Sequence, residues 1–201
     1  MSVPPVFRDR DGTLIVERHY LGDPGQVSLE REVVAGLSML RARGHALIVL
    51  SNQSGIGRGL LSEADAQRVN ARIAELLREN GIDILAWYLC PHAPDVPCDC
   101  RKPSPGMALA AARDWNLDLA GSYVIGDKRA DLELADAIGG TGILVTTGHG
   151  SDAVGWAKAN ARPVADSLLA AAQFIAARDR PAHSAEDAPA GPKSIVDRRP
   201  G

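Results

Sequence analysis

Short apolar runs of strand length alternate along this chain with segments of helical periodicity. The runs are "PVF" near residue 6, "ALIVL" at 46–50, "ILAWYL" at 84–89, "YVI" at 123–125 and "GILV" at 142–145. Between and after them, helical patterns cover 30–43, 63–79, 104–115, 129–138 and 166–178. This alternation predicts an α/β, Rossmann-like fold, in which a parallel sheet carries helices on both faces. Ligands of such folds bind beyond the carboxyl ends of the strands, so chemistry is expected there.

Local signals indicate where several of the helices begin and end. Gly44 offers a stop to the first helix. Ser62 and Asp65 have the spacing of a capping box. Pro105 is expected at the first position of the helix at 104–115, where proline is tolerated, and Asp166 is expected to cap the last helix.

Composition restricts the class of protein. The 201 residues are 45% hydrophobic and 23% charged, which is typical of a globular chain with one main domain, assigned to 1–180. The remainder, 181–201, is rich in Pro, Ala, Gly and charge and is predicted to be a disordered tail. The net charge of -3 argues against a nucleic-acid or membrane surface. Without a signal-length apolar run near its start, the chain is expected to be a cytoplasmic monomer.

Acidic and hydroxyl side chains follow the first two strands. "RDRDGTL" contains Asp9 and Asp11, which would point the same way on an extended segment, and then Gly12, which allows a turn. "SNQSGIGRG" begins with Ser51 and continues as a glycine-rich loop, whose N–H groups suit a phosphate. Each stretch alone is also an ordinary surface turn.

The next two strand ends add a lysine and two further acidic side chains. The third is followed by a cysteine-rich loop and Lys102, and the fourth by "GDKRAD", with Asp127 and Asp131. Acids at a helix start are common by themselves. Four successive strand ends nevertheless deliver two acids, a hydroxyl, a lysine and two more acids. Mg²⁺-assisted hydrolysis of a phosphate monoester needs this set, because carboxylates bind the ion while cations hold the phosphoryl oxygens.

These motifs resemble, in order, the four motifs of the haloacid dehalogenase-like phosphatases. The matching residues are Asp9-x-Asp11-Gly12-Thr13, Ser51, Lys102 and Gly126-Asp127-x-x-x-Asp131. Their spacing resembles that of a small member without a large cap domain. "DRDGTL", "SNQSGIGRG", "CPH…CDCRKPSPGM" and "GDK" are similar to the heptose 1,7-bisphosphate 7-phosphatases, whose close relatives are the histidinol-phosphate phosphatases. The resemblance covers about residues 4–178.

The resemblance implies roles for the acids. Asp9 would be the nucleophile that forms an aspartyl-phosphate, and Asp11 the general acid and then base. Mg²⁺ would be held by Asp9, Asp127 and the backbone carbonyl of Asp11. Asp131 would lie one shell further out or bind through water.

The resemblance also implies contacts to substrate. Ser51 and Lys102 would hold phosphoryl oxygens, and Lys128 would orient the aspartates. Residues expected to bind substrate are Glu17, Arg18, His19, Tyr20, Asn52, Gln53, Ser54, Arg101 and Lys128. His45, His149 and His183 are expected to be structural or surface residues.

All three cysteines of the chain lie in one loop. Cys90, His92, Cys98 and Cys100 form C-x-H-x5-C-x-C, a ligand set of the type that binds tetrahedral Zn²⁺, although free thiols beside a surface histidine are the alternative. Four protein ligands leave no position for water, so the metal would be structural. This zinc-stabilised loop insertion would fix the chain that continues into Arg101 and Lys102.

Arg8 departs from the family pattern, in which an aliphatic residue precedes the nucleophile. Arginine in a strand buried on both faces is costly unless it is paired. Arg8 therefore pairs with a nearby acid, lies at the end of the strand, or marks an altered enzyme.

Four functions remain open on sequence alone. Ser54 favours a heptose bisphosphatase, because histidinol-phosphate phosphatases typically carry Asp there. The five-residue spacer between His92 and Cys98 favours the histidinol type. A polynucleotide 3′-phosphatase has a similar glycine-rich loop, but the net charge argues against it. The last alternative is a non-catalytic zinc-containing scaffold disabled by Arg8.

Overall fold

The computed structural model describes residues 4–179 as a six-stranded parallel sheet in the order β3-β2-β1-β4-β5-β6. The predicted tail at 181–201 lies outside these residues. The strands are β1 (Val6–Arg8), β2 (Leu47–Asn52), β3 (Ala86–Cys90), β4 (Tyr123–Gly126), β5 (Thr141–Val145) and β6 (Val164–Ala165). The five strands predicted from apolar runs are present. The two-residue edge strand β6 was not predicted, because it is too short to have a pattern.

Within residues 4–179, seven α-helices connect or follow the strands. They are α1 (Val33–Ala42), α2 (Ser54–Gly57), α3 (Glu63–Arg78), α4 (Gly106–Trp115), α5 (Arg129–Ala137), α6 (Gly150–Ala159) and α7 (Leu168–Arg178). The glycine-rich stretch expected as a loop thus includes the single turn α2. Helix α6 was also not predicted, because only Gly150 and Ala157 of its ten residues are buried and its apolar pattern is weak.

The helix starts confirm one local prediction and correct two. The side chain of Ser62 accepts from the Asp65 N–H while Asp65 accepts from the Ser62 N–H, which is the predicted capping box. Pro105 is the N-cap of α4 rather than its first residue. Ser167, not Asp166, caps α7, because its hydroxyl accepts from the Ala170 N–H at 3.3 Å.

The sheet is covered on both faces, as predicted. Alternate residues of β1 enter different cores: Val6 packs with residues of α1, α3 and α7, and Phe7 packs with residues of α4 and α5. The sheet, its helices and their connections account for residues 4–179, which include no separate cap domain. Within that range, no helix is long and apolar enough to cross a membrane.

The chain order creates a crevice beside the central strand. From β1 the chain builds β2 and β3 on one side, and then returns to place β4 on the other side of β1. The connections after β1 and β4 therefore diverge at their carboxyl ends, where open parallel sheets bind ligands. Asp9 directly follows β1 and Asp127 directly follows β4, so the topology brings these two acids together.

Candidate active site

A cavity of about 180 Å³ opens at the carboxyl ends of the strands. Ten of the predicted site residues line it: Asp9, Asp11, Glu17, His19, Tyr20, Asn52, Gln53, Ser54, Lys102 and Lys128. Ser51, Arg18, Arg101 and Asp127 are not in its wall. The hydroxyl of Ser51 accepts from Gln53 Nε2 at 2.7 Å, directly behind the wall.

Lys102 is the buried centre of the charge network. Its Nζ lies 2.8 Å from Asp9 Oδ1 and 2.6 Å from Asp131 Oδ1, and it donates to the Leu50 carbonyl at 2.7 Å. Burial opposes the charge of Lys102, but Asp131 and Asp9 outweigh this and raise its pKa. A permanent cation therefore lies against the predicted nucleophile. Asp131, which was expected one shell out from Mg²⁺ or bound to it through water, is a direct partner of this lysine.

The backbone of Lys102 is held by the neighbouring strand. Its N–H donates to Asn52 Oδ1 at 3.0 Å, and Asn52 Nδ2 donates back to the Lys102 carbonyl at 3.1 Å. Asn52 ends β2, so this reciprocal pair fixes the lysine relative to the sheet. A small displacement of a catalytic group can cost a large factor in rate, which makes such fixing important.

Three buried carboxylates can share a cation. Asp9, Asp127 and Asp131 each offer an oxygen within 4.8 Å of the others. Asp127 Oδ1 has no hydrogen-bond partner among residues 4–179, and burial together with Asp9 raises the pKa of Asp127 to about 7. For Asp9, Lys102 and Lys128 outweigh the effect of burial and lower the pKa. This donor set fits a hard cation such as Mg²⁺, which would compensate the unpaired oxygen.

Asp11 has a different environment from Asp9. Its carboxylate accepts two bonds from the Arg10 guanidinium, at 2.9 and 3.0 Å, and one from Gln53 Nε2 at 2.8 Å. It is not one of the three carboxylates grouped around the cation position. The prediction that Asp9 and Asp11 present their carboxylates alike therefore needs correction, since the chain turns between them. Both side chains still reach the cavity.

The connection after β5 contributes a residue that the sequence prediction placed elsewhere. The His149 N–H donates to Asp127 Oδ2 at 2.8 Å, and the His149 ring lines the cavity near Glu17 and His19. His149 was expected to be structural or a surface residue. It follows a fifth strand end, so the rule that located the other motifs would also have located it. Arg10, buried between the two motif aspartates, was likewise given no role.

The cysteine loop brings its four predicted ligands together. Cys90 Sγ lies 3.5 Å from His92 Nδ1 and 3.6 Å from Cys98 Sγ, and His92 Nδ1 lies 3.2 Å from Cys100 Sγ. Ligands at about 2.1 to 2.3 Å from a tetrahedral Zn²⁺ would be separated by about 3.4 to 3.8 Å. Burial and the neighbouring sulfurs raise the pKa of the Cys100 thiol to about 12, so a cation would be needed to keep this sulfur as a thiolate. The cluster fits zinc.

The cysteine loop also contacts the glycine-rich segment. Gly57 N–H donates to the Pro91 carbonyl at 2.7 Å, and a side chain at Gly57 would collide with Ala93 N at 2.5 Å. Arg101 Nη1 donates to the His92 carbonyl at 3.2 Å, so this arginine braces its own loop.

Comparison with known proteins agrees with the geometry. A protein-family model described as HAD-hydrolase-like matches residues 99–171. The crystal structure of D,D-heptose 1,7-bisphosphate phosphatase from B. bronchiseptica complexed with magnesium and phosphate superposes with a TM-score of 0.81 at 28% identity, covering 88% of this chain and all of that one. The fold and the acids at its strand ends thus define a HAD-like hydrolase, and the enzyme is a phosphatase.

Sequence relatives identify the group within that class. A D-glycero-beta-D-manno-heptose-1,7-bisphosphate 7-phosphatase of Yersinia pestis is 38% identical over 167 residues, covering 79% of this chain and 89% of that protein. One from Escherichia coli K12 is 36% identical over 194 residues, covering 90% of this chain and 98% of that protein. The chain belongs to this family of heptose bisphosphate phosphatases.

Proposed function

We propose that this enzyme removes the 7-phosphate of D-glycero-D-manno-heptose 1,7-bisphosphate through a phosphorylated Asp9. The observation that carries the proposal is the buried Asp9–Lys102–Asp131 network beside Asp127, in a chain whose relatives carry that activity in their names. Those names specify the beta anomer, which we propose as the preferred substrate.

The first step breaks the bond between phosphorus and the sugar oxygen. An Asp9 carboxylate oxygen attacks phosphorus, and Asp11 gives a proton to the departing alkoxide. Lys102, with Ser51 behind the wall, stabilises the charge on the phosphoryl oxygens. In the second step Asp11 takes a proton from water, the water oxygen attacks the aspartyl-phosphate, and inorganic phosphate leaves with Asp9 restored.

Two metals complete the proposal. Mg²⁺, bound by the carboxylates of Asp9 and Asp127 and the backbone carbonyl of Asp11, would neutralise charge on the phosphate. Asp131 is assigned to Lys102 instead. Zn²⁺ at the cysteine cluster would be structural, because all four ligands come from the protein. The three cysteines are free of disulfides, which is typical of cytoplasmic proteins and supports a cytoplasmic location. The heptose named in the relatives' activity supports a place in the synthesis of surface-polysaccharide (lipopolysaccharide) heptose.

Specificity for the 7-phosphate follows from the shape of the site. Asp9 lines the cavity and is buried, so a projecting primary phosphate would reach it more easily than one attached to the ring. The ring and its 1-phosphate would then lie outside, where we place contacts from Arg18 and Arg101. The part inside would be contacted by residues of the cavity wall: Glu17, His19, Tyr20, Asn52, Gln53, Ser54 and Lys128.

Steady-state kinetics with both heptose bisphosphate anomers and histidinol phosphate tests the proposal. We expect kcat/KM to be highest for the beta anomer, with heptose 1-phosphate and inorganic phosphate as the products. Asp9→Asn keeps the shape of the side chain but removes the nucleophile, and is expected to lower kcat by roughly 10⁴-fold or more. A tenfold preference for histidinol phosphate, about 1.4 kcal/mol at the transition state, would assign the site to the other substrate. Full activity of Asp9→Asn would refute Asp9 as the nucleophile, and a wild-type protein inactive on all three substrates would favour the scaffold.

A further inference from the structure

Arg10 makes four side-chain hydrogen bonds beside the cavity, yet neither step above uses it. It lies between the two motif aspartates and is 1% exposed. Its guanidinium makes four hydrogen bonds to side chains: two to Asp11, one to Gln53 Oε1 at 2.9 Å and one to Asn70 Oδ1 at 3.1 Å. Each of its three nitrogens therefore has a partner.

The bonds to Asp11 determine where that carboxylate points. Arg10 Nε reaches Asp11 Oδ2 and Nη2 reaches Oδ1, which is the bidentate geometry of an arginine and a carboxylate. Such a pair fixes both the position and the plane of the carboxylate, which one bond would not do. Gln53 Nε2 adds a third bond, to Asp11 Oδ2. Asp11 remains in the cavity wall, with its orientation set from behind.

Arg10 is in turn held by a distant helix. Asn70 belongs to α3, whose adjacent residue Val69 is fully buried in the core. The bond from Arg10 Nη1 to Asn70 therefore connects the motif after β1 to a rigid element sixty residues away.

We propose that Arg10 is a positioning residue that aims Asp11 at the leaving-group oxygen, and that Asn70 holds Arg10 in place. This assignment rests on the proposed function, because it requires Asp11 to be the general acid. Arg10 faces the acid and not the nucleophile, so its loss should weaken proton transfer to the leaving group and leave the attack of Asp9 intact.

Leaving groups distinguish positioning from simple structural support. A sugar alkoxide needs a proton as it departs, whereas p-nitrophenolate and acetate leave without one. The parameter kcat/KM reports steps up to departure of the first product, so slow hydrolysis of the phosphoenzyme does not affect it. Damage confined to the acid therefore lowers kcat/KM for the heptose bisphosphate far more than for an activated phosphate.

The experiment compares Asp11→Asn, Arg10→Met, Arg10→Lys and Asn70→Ala with wild type. Substrates are the heptose bisphosphate and an activated phosphate that wild type hydrolyses, p-nitrophenyl phosphate or acetyl phosphate. We expect Arg10→Met to lower kcat/KM about 100-fold for the bisphosphate, within the range of general acid catalysis, and less than fivefold for the activated ester. Arg10→Lys keeps the charge but cannot form the bidentate contact with Asp11, so its kcat/KM for the bisphosphate is expected to lie between those of Arg10→Met and wild type.

Two further variants keep the test decisive if Arg10→Met folds poorly. Asn70→Ala removes the side chain that anchors Arg10 but leaves the pair of Arg10 and Asp11. It is expected to lower kcat/KM for the bisphosphate about tenfold, with the same dependence on the leaving group as Arg10→Met. Gln67→Ala, on the exposed side of the same helix, is the matched control and should not change either rate.

The outcomes separate this assignment from the proposed function. Equal losses on both substrates in Arg10→Met and Asn70→Ala, or full activity on the bisphosphate, overturn the assignment of Arg10. If Asp11→Asn itself shows no dependence on the leaving group, Asp11 is not the acid, and the proposed mechanism and the role of Arg10 fail together.

Discussion

Replacing Arg8 with methionine is expected to stabilise the protein. Arg8 ends β1 and is 0% exposed, between Val49 and Ile125 on the neighbouring strands. Its Nη1 donates to the Val6 carbonyl at 3.3 Å, while Nε and Nη2 have no hydrogen-bond partner within residues 4–179. Of the alternatives for this residue, pairing with an acid is therefore excluded in the described chain. Methionine follows the path of the arginine stem without its charge.

The magnitude follows from the burial of the charge. Burial lowers the pKa of Arg8 from its ordinary value to about 9. At 1.36 kcal/mol for each pKa unit, this corresponds to about 5 kcal/mol against folding with the charge retained. Removing the charge would recover this free energy, but only in part, because methionine is smaller than arginine and leaves space. Buried ions replaced by apolar residues elsewhere give about 1–4 kcal/mol, so we expect an increase of about 3 kcal/mol in the free energy of unfolding.

Urea and thermal unfolding at neutral pH measure this change. For a chain of this size, about 3 kcal/mol corresponds to roughly 6–12 °C in Tm. A pH series adds a check of sign. The unfolded arginine binds its proton more tightly than the folded one, so wild-type stability gains from rising pH above about 9. The difference between the variant and wild type should therefore be largest below pH 9 and shrink above it.

Arg10→Met is the matched control, because Arg10 is equally buried but fully bonded. Its removal leaves Asp11 without its bidentate partner, and the free energy of unfolding is expected to fall by about 3 kcal/mol. If Arg8→Met instead loses more than about 1 kcal/mol, the guanidinium has a stabilising partner and the reasoning from burial is wrong.

Three further changes test other parts of the structure. Gly148→Ala would place a Cβ 2.5 Å from Asp127 Oδ2 and should lower kcat more than tenfold. Gly139 also has a positive φ, but a Cβ there meets nothing within 4 Å, so Gly139→Ala should keep full activity. Equal kcat values for the two variants would contradict the proposed crowding of Asp127. Elemental analysis should find about one zinc ion per chain in the wild-type protein and only a trace in Cys98→Ser. A freshly prepared wild-type protein that contains no zinc would refute the metal assignment. Ser62→Ala removes a capping box and should cost about 1 kcal/mol in urea unfolding with unchanged kcat; no loss of stability would mean that the cap contributes nothing.

The sequence by itself determined the sheet, the strand ends and most of the chemistry placed on them. Alternating apolar runs specify parallel strands, and parallel strands bring their carboxyl ends to one edge. Asp9, Lys102 and Asp127 could therefore be assigned to one site before any coordinates were known. The cluster of Cys90, His92, Cys98 and Cys100 could also be predicted, because these residues are close in sequence and their spacing is itself the signal.

Tertiary structure decided which of these groups are partners. Lys102 pairs with Asp131, His149 lines the cavity, and Asn70 holds Arg10. In each case the fold brings together residues that lie far apart in the sequence, on different strands, helices or connections. Local periodicity contains no information about such pairs. Arg8 and Arg10 show the difference. They are two residues apart and both buried, but Arg8 makes one hydrogen bond, to the Val6 carbonyl, whereas Arg10 makes four to side chains. Strand periodicity alone would give both residues the same face, so the neighbouring elements, which bring Gln53 and Asn70 to Arg10, decide which partners each one has.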